Sequence, residues 1–159
     1  MPVPEFITAL RRHVGTDLLW LSGVSAVVLD VDGRILLGRR ADTGRWAVIS
    51  GILEPGEQPA PALLREVLEE TGVQAEVEAL VSVFSGEEVQ YPNGDRAQYL
   101  DLTFRCRYTG GQAAVGDDES LEVGWFSPDA LPEPLTESSG QRIADALEYD
   151  PAAGPRFAR

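Results

Sequence analysis

Glu66, Glu69 and Glu70 stand three and four residues apart in the stretch PALLREVLEETGV, a spacing that sets all three on one side of a helix. At 100° per residue they fall within an arc of about 100°, while Ala60, Leu63, Leu64, Val67 and Leu68 occupy a separate apolar sector. Like charges at these separations cost roughly 0.2–0.5 kcal/mol per pair. Lying toward the helix C-terminus adds about 0.3–1 kcal/mol per exposed acid, because the macrodipole opposes anions there. A solvated acidic face carries the same spacing in many acidic proteins. A divalent cation gives the cluster a use, since hard oxygen donors that converge on one point suit Mg²⁺ or Mn²⁺ when the ion must also take a substrate phosphate.

The elements needed to position these acids can be read on either side of them. A helix is predicted from Pro59, where the missing N–H costs nothing, to Gly72, which suits a left-handed cap. Ahead of it, residues 4–13 read as a short amphipathic helix. Val24 to Leu29 and Ile35 to Leu37 read as two strands of a hairpin turning at Asp32-Gly33. A loop over Arg39 to Arg45, a brief strand over Trp46 to Ile49 and a loop over Gly51 to Glu57 follow. Residues 75–84 and 97–108 are strands, the second with Leu100, Leu102, Phe104 and Cys106 inward and Asp101, Thr103, Arg105 and Arg107 outward. Leu121 to Phe126 is a last strand, and Ser138-Ser139-Gly140-Gln141 resembles a capping box for a helix through Leu147. The Pro-, Ala- and Gly-containing tail, 150–159, is expected to fray. Alternating strands and helices without an internal repeat predict an α/β or α+β chain, and 159 residues with 43% apolar content suit one domain over 1–159.

Composition removes several chemistries. The net charge is −13 and all 13 basic residues are arginine, so a nucleic acid polymer would be repelled at long range. Small phosphorylated substrates stay open, because a cation among carboxylates inverts the local field. His13 is the single histidine, which leaves little material for a Ser-His-Asp triad or a histidine zinc site. Cys106 is the single cysteine, excludes an internal disulfide and reads as a buried, inert thiol. No apolar run approaches the ~20 residues of a membrane span and the start lacks a secretory pattern, so a cytoplasmic protein that does not engage membranes is expected.

Residues 51–73, GILEPGEQPAPALLREVLEETGV, match G-x5-E-x7-R-E-U-x-E-E-x-G-U, with U apolar, at every specified position, and so resemble the Nudix box. Gly51, Glu57, Arg65, Glu66, Glu69, Glu70 and Gly72 fill its fixed places, with Val67 and Val73 at the apolar ones. With each fixed residue at about 7% usage, chance agreement is roughly 10⁻⁸ per starting position. The resemblance implies an α/β/α sandwich around a mixed β-sheet and Mg²⁺-dependent hydrolysis of a pyrophosphate bond in a nucleoside diphosphate linked to another moiety, with Mn²⁺ as a substitute ion. It implies Glu66, Glu69 and Glu70 as metal ligands, Glu66 also as candidate general base, and Arg65 as the residue that orients Glu57 and the acids. The backbone carbonyl of Ser50 joins the metal site by the same resemblance, although many relatives carry glycine there. A further carboxylate from a loop is assigned to Glu119, ahead of Glu122. Gly51 and Gly72 are structural, and a homodimer is a common state among proteins of this resemblance.

Substrate-binding candidates lie outside the box. Arg39 and Arg40 can hold a phosphate in a bidentate fork, or be ordinary solvated arginines. Trp46 can stack on a base, or pack beside its strand. Tyr91 lies 18 residues past the box, a position resembling the tyrosine of diadenosine-polyphosphate members. Glu88 and Val89 stand where an ADP-ribose group carries a proline, which lowers that substrate. The alternative is a Nudix-fold nucleotide sensor without hydrolysis, but such proteins typically lose box carboxylates and this chain keeps all of them. A merely acidic domain is the third reading, and it predicts no melting shift when magnesium and nucleotide are added together.

Overall fold

The computed structural model describes residues 3–159. Its elements run α1 (Glu5–Val14), β1 (Leu19–Leu29), β2 (Ile35–Arg40), β3 (Trp46–Ala47), β4 (Ile49–Ile52), α2 (Pro59–Thr71), β5 (Val73–Ser85), β6 (Val89–Gln90), β7 (Arg96–Gly111), β8 (Ser120–Phe126), α3 (Glu137–Leu147) and β9 (Arg156–Phe157). They form an α/β fold around one mixed sheet with the order β3-β2-β1-β7-β5-β9, to which β4 adds on β1, β6 on β7 and β8 on β2. β1 pairs in parallel with β7 from Leu19↔Ala97 to Leu29↔Arg107 and antiparallel with β2 and β4. Its unbroken apolar run suits that place, since a strand covered on both faces has no polar side to alternate with.

Successive residues of β1 feed two cores. Val24, Ala26 and Val28 pack with Leu63 and Val67 of α2, together with Ile49 and Cys106. Val27 and Leu29 pack on the opposite face with Ile143 and Ala146 of α3. Leu63 and Val67 are fully buried, and each contributes about 1.5–3 kcal/mol by leaving water. A smaller cluster seats Ile7 of α1 on Leu21 and Ala97. Pro opens α2 in its first turn, and Gly72 closes it at φ 70° with its N–H donating to the Leu68 carbonyl.

Four expectations are corrected by these contacts. The outward face of β7 is not bare: Thr103 is buried, and Asp101 accepts hydrogen bonds from Ser25, Thr103 and Arg142, so α3 covers a polar network there. The strand expected over 46–49 divides into β3 and β4, and β4 takes Gly51 and Ile52 out of the expected loop. α3 begins at Glu137 behind Thr136, with no side-chain cap; Ser139 is buried, accepting hydrogen bonds from the Val48 N–H and the Thr136 hydroxyl. The tail is tied down as well. Arg156 and Phe157 pair with Ser82 and Val83, and Arg156 bridges Asp145 at 2.9 Å and Glu148 at 2.6 Å.

Candidate active site

The box helix presents its acids in two directions. On one side Arg65 gathers three carboxylates: Glu57 at 2.9 Å, Glu66 at 3.0 Å and Glu69 at 3.1 Å. Glu57 also accepts the Glu54 N–H at 2.9 Å, which fastens the loop ahead of the helix to the helix itself. Arg65 therefore lies in charge-assisted contact with Glu57 and the two box glutamates that the resemblance linked it to. Glu66 is buried, and that desolvation pushes its carboxyl up while the Arg65 charge opposes the rise. Glu69 is 56% exposed in its side chain and turns to Arg65.

Glu70 meets a different set of partners. Its carboxylate lies in a group with Asp117 and Glu119 whose ligand atoms all fall within 4.8 Å of one another. It is 5% exposed, and among the described residues its Oε1 has no hydrogen-bond partner. Burial, then the neighbouring charges of Asp117 and Glu66, push its pKa up to about 8. An isolated protein gains nothing from three acids packed around a dry oxygen, because like charges and desolvation act in the same direction. A divalent cation reverses both terms, and an all-oxygen set is the set that Mg²⁺ and Mn²⁺ prefer.

Local backbone contacts hold this second group together. The Gly116 N–H donates to the Glu70 carbonyl and the Ala114 N–H to that of Thr71, docking the loop before β8 on the end of α2. A side chain at position 116 would run into the Glu69 carbonyl, so only glycine permits that approach. The Glu119 N–H donates to Asp117 at 2.9 Å, and the Glu119 carbonyl accepts from Ala41 at 2.8 Å, linking the acids to the end of β2.

Beside Glu70 opens a cavity of about 290 Å³ between β2, β4 and the loop before β8. Ser50, Glu119 and Arg40 line it, so the position expected to offer a carbonyl stands next to the acids. Arg40 is within electrostatic reach of Glu70 and is held by Asp42 through bonds of 2.9 and 2.6 Å. Arg39, by contrast, points to the Gly44 carbonyl and Glu122, outside the cavity. Trp46 is buried against Phe126 with ring centroids 4.8 Å apart, so its indole is a core group and does not offer a stacking face. Tyr91 shares a 2.7 Å hydrogen bond with the Tyr99 hydroxyl in the β6–β7 turn and is not among the cavity walls. Asp117 was missed in the sequence; the signal was present in the run Asp117-Asp118-Glu119, where alternate residues share a side just ahead of a strand.

A mixed sheet between helices, with an acid-bearing helix beside a cavity, is the fold shared with solved Nudix hydrolases. The NUDIX domain model matches residues 20–146, and the chain belongs to the Nudix hydrolase family of pyrophosphohydrolases. It is 40% identical over 132 residues to a MutT-like protein of Streptomyces ambofaciens, covering 83% of this chain and 78% of that one. It is 33% identical to a putative 8-oxo-dGTP diphosphatase of Bacillus subtilis, over 80% of both chains. Among solved structures, the MutT Nudix hydrolase from Burkholderia pseudomallei superposes with a TM-score of 0.67 at 27% identity, covering 80% of this chain and 98% of that one. No helix among the described residues is long and apolar enough to cross a membrane.

Proposed function

We propose that this chain hydrolyses the pyrophosphate bond of a nucleoside diphosphate linked to another moiety, a nucleotide sugar, dinucleotide or nucleoside triphosphate, with Mg²⁺ held by Glu70, Asp117 and Glu119. The observation that carries this reading is the buried Glu70 oxygen without a hydrogen-bond partner, facing two further carboxylates at the edge of a cavity. A bound divalent ion supplies charge neutralisation of the phosphates, a lowered pKa for water and orientation of the reacting groups. Arg40, also lining the cavity, can take a substrate oxyanion in its planar fork. Glu66 is assigned the proton from the attacking water, Arg65 fixing its carboxylate in place. The new bond joins the water oxygen to one phosphorus as the anhydride P–O bond breaks, and its electron pair leaves with the second phosphate.

Relatives support the reaction class and leave the substrate broad: one is named an 8-oxo-dGTP diphosphatase, and a Methanocaldococcus jannaschii protein 32% identical to this chain is named an ADP-ribose pyrophosphatase. The test is a panel of nucleotide sugars, dinucleotides, ADP-ribose, and oxidised and ordinary nucleoside triphosphates, each assayed with Mg²⁺ and with Mn²⁺. Release of a nucleoside monophosphate from one compound class, abolished by chelator, is expected. Inactivity of the folded protein across the whole panel with both ions removes the reading.

A further inference from the structure

Arg40 is the cation among the cavity-lining residues and lies within electrostatic reach of Glu70, yet one edge of its guanidinium is already engaged. Nε and one terminal nitrogen grip both oxygens of Asp42 at 2.9 and 2.6 Å, a fork-to-fork pair of the kind a phosphate also makes. Arg40 ends β2 and Asp42 sits in the turn that follows, where the Gly44 N–H donates to the Arg40 carbonyl and the Arg40 N–H to that of Arg45. Arg40 and Asp42 both line the cavity, and their side chains are 46% and 59% exposed. The turn is coupled to the acids, since Ala41 between them donates to the Glu119 carbonyl.

We infer that Asp42 is a specificity-determining residue that occupies the Nε-side fork of Arg40 in the free protein, so that a ligand gains that edge only if it can replace a carboxylate in bidentate geometry, as a phosphate oxyanion can. The inference rests on the proposed reading of the cavity as a pyrophosphate site and adds a competitor built into it. Three consequences follow from the chemistry. A neutral or singly hydrogen-bonding group gains nothing from that edge of Arg40, because it cannot displace the carboxylate. Binding of a phosphate releases Asp42 to solvent, which it reaches without movement of the sheet, being on an exposed turn. Lysine at position 40 cannot serve as a substitute, since a point-charge ammonium lacks the fork.

The experiment is calorimetric binding of magnesium pyrophosphate to the full chain as wild type, Asp42→Asn, Asp42→Ala, Arg40→Lys and Arg40→Gln, each checked for an unchanged melting profile. Removing the competitor from an exposed pair is expected to tighten binding roughly two- to fivefold in both Asp42 variants. That gain should shrink as salt is raised, because the displaced pair is screened. Both Arg40 variants should bind more weakly than wild type. If the wild type binds magnesium pyrophosphate and the Asp42 variants bind equally or more weakly, the competitor role is overturned while the pyrophosphate site stands. If the wild type does not bind it at all, the reading of the cavity fails and the inference falls with it.

Discussion

Glu66 and Glu69 pair with Arg65 whereas Glu70 meets Asp117 and Glu119, so three acids that share a helix, a residue type and a sequence motif live in different electrostatic settings. Arg65 lies within 3.1 Å of Glu57, Glu66 and Glu69, so that side of the helix carries its own counter-charge. Glu70 meets two further acids and has a buried oxygen with no hydrogen-bond partner among the described residues, so it lacks the counter-charge that Arg65 gives the others. The comparison teaches that an acidic motif is not one site. Its arginine gives counter-charge to some of its acids and leaves Glu70 among like charges.

The sharpest way to break this division is Glu70→Gln. Turnover is expected to fall by roughly 10³-fold or more, since a principal anionic ligand is lost from the metal group. The metal-free protein should melt no lower than wild type, because the variant removes a desolvated carboxylate that lacks a partner. The sign of the pH dependence follows from the raised pKa, about 8 in the folded protein against 4.5 for an unperturbed glutamate. The neutral form is favoured by folding, so its stabilising contribution is complete below 4.5 and is lost as pH rises toward 8. Thermal melts in chelator from pH 4 to 9 should show that decline in the wild type and a flatter curve in Glu70→Gln; parallel curves count against it.

Asp117→Asn is next in size. It leaves the shape of the loop and weakens the anionic group, so a loss of roughly 10–100-fold in turnover is expected, together with a higher Mg²⁺ concentration for half-maximal rate. An unchanged magnesium requirement would take Asp117 out of the site. Arg65→Ala attacks the other side of the helix and should read out first as stability. It strands the buried Glu66, and with Arg65 itself 44% exposed in its side chain the cost is about 1–2 kcal/mol, measurable by urea unfolding.

How much of this was legible beforehand follows the range of the interactions. The helix from Pro59 to Gly72, its two-faced pattern and the pairing of Arg65 with Glu57 are local or motif-borne, and each is where the sequence places it. The division between Glu69 and Glu70 was not legible. It depends on a loop more than 40 residues downstream, and no helical wheel contains the Gly116 approach that brings Asp117 to Glu70. Trp46 shows the same limit, since an aromatic beside a strand reads more readily as core but also as a stacking platform, and α3 with Phe126 decides for core. The tail misled by composition: Pro, Ala and Gly suggested fraying, whereas Arg156 alone makes two ion pairs, one to the buried Asp145.

The smallest expected effect is the most discriminating, because Glu69 and Glu70 are neighbours in the chain. Glu69→Gln removes an exposed i,i+4 partner of Arg65, and the pair is worth about 0.3–0.5 kcal/mol to the helix. Turnover should drop by less than Glu70→Gln costs by at least two orders of magnitude, and the melting temperature should scarcely move. Magnesium gives a direct readout free of substrate, since an ion bound only by the folded state raises the melting temperature by linkage. That rise should survive in Glu69→Gln and be lost in Glu70→Gln. Loss of the magnesium shift in both variants would mean that bound metal draws Glu69 away from Arg65 into the same coordination group as Glu70, and the two sides of the helix would then be one site divided only while the ion is absent.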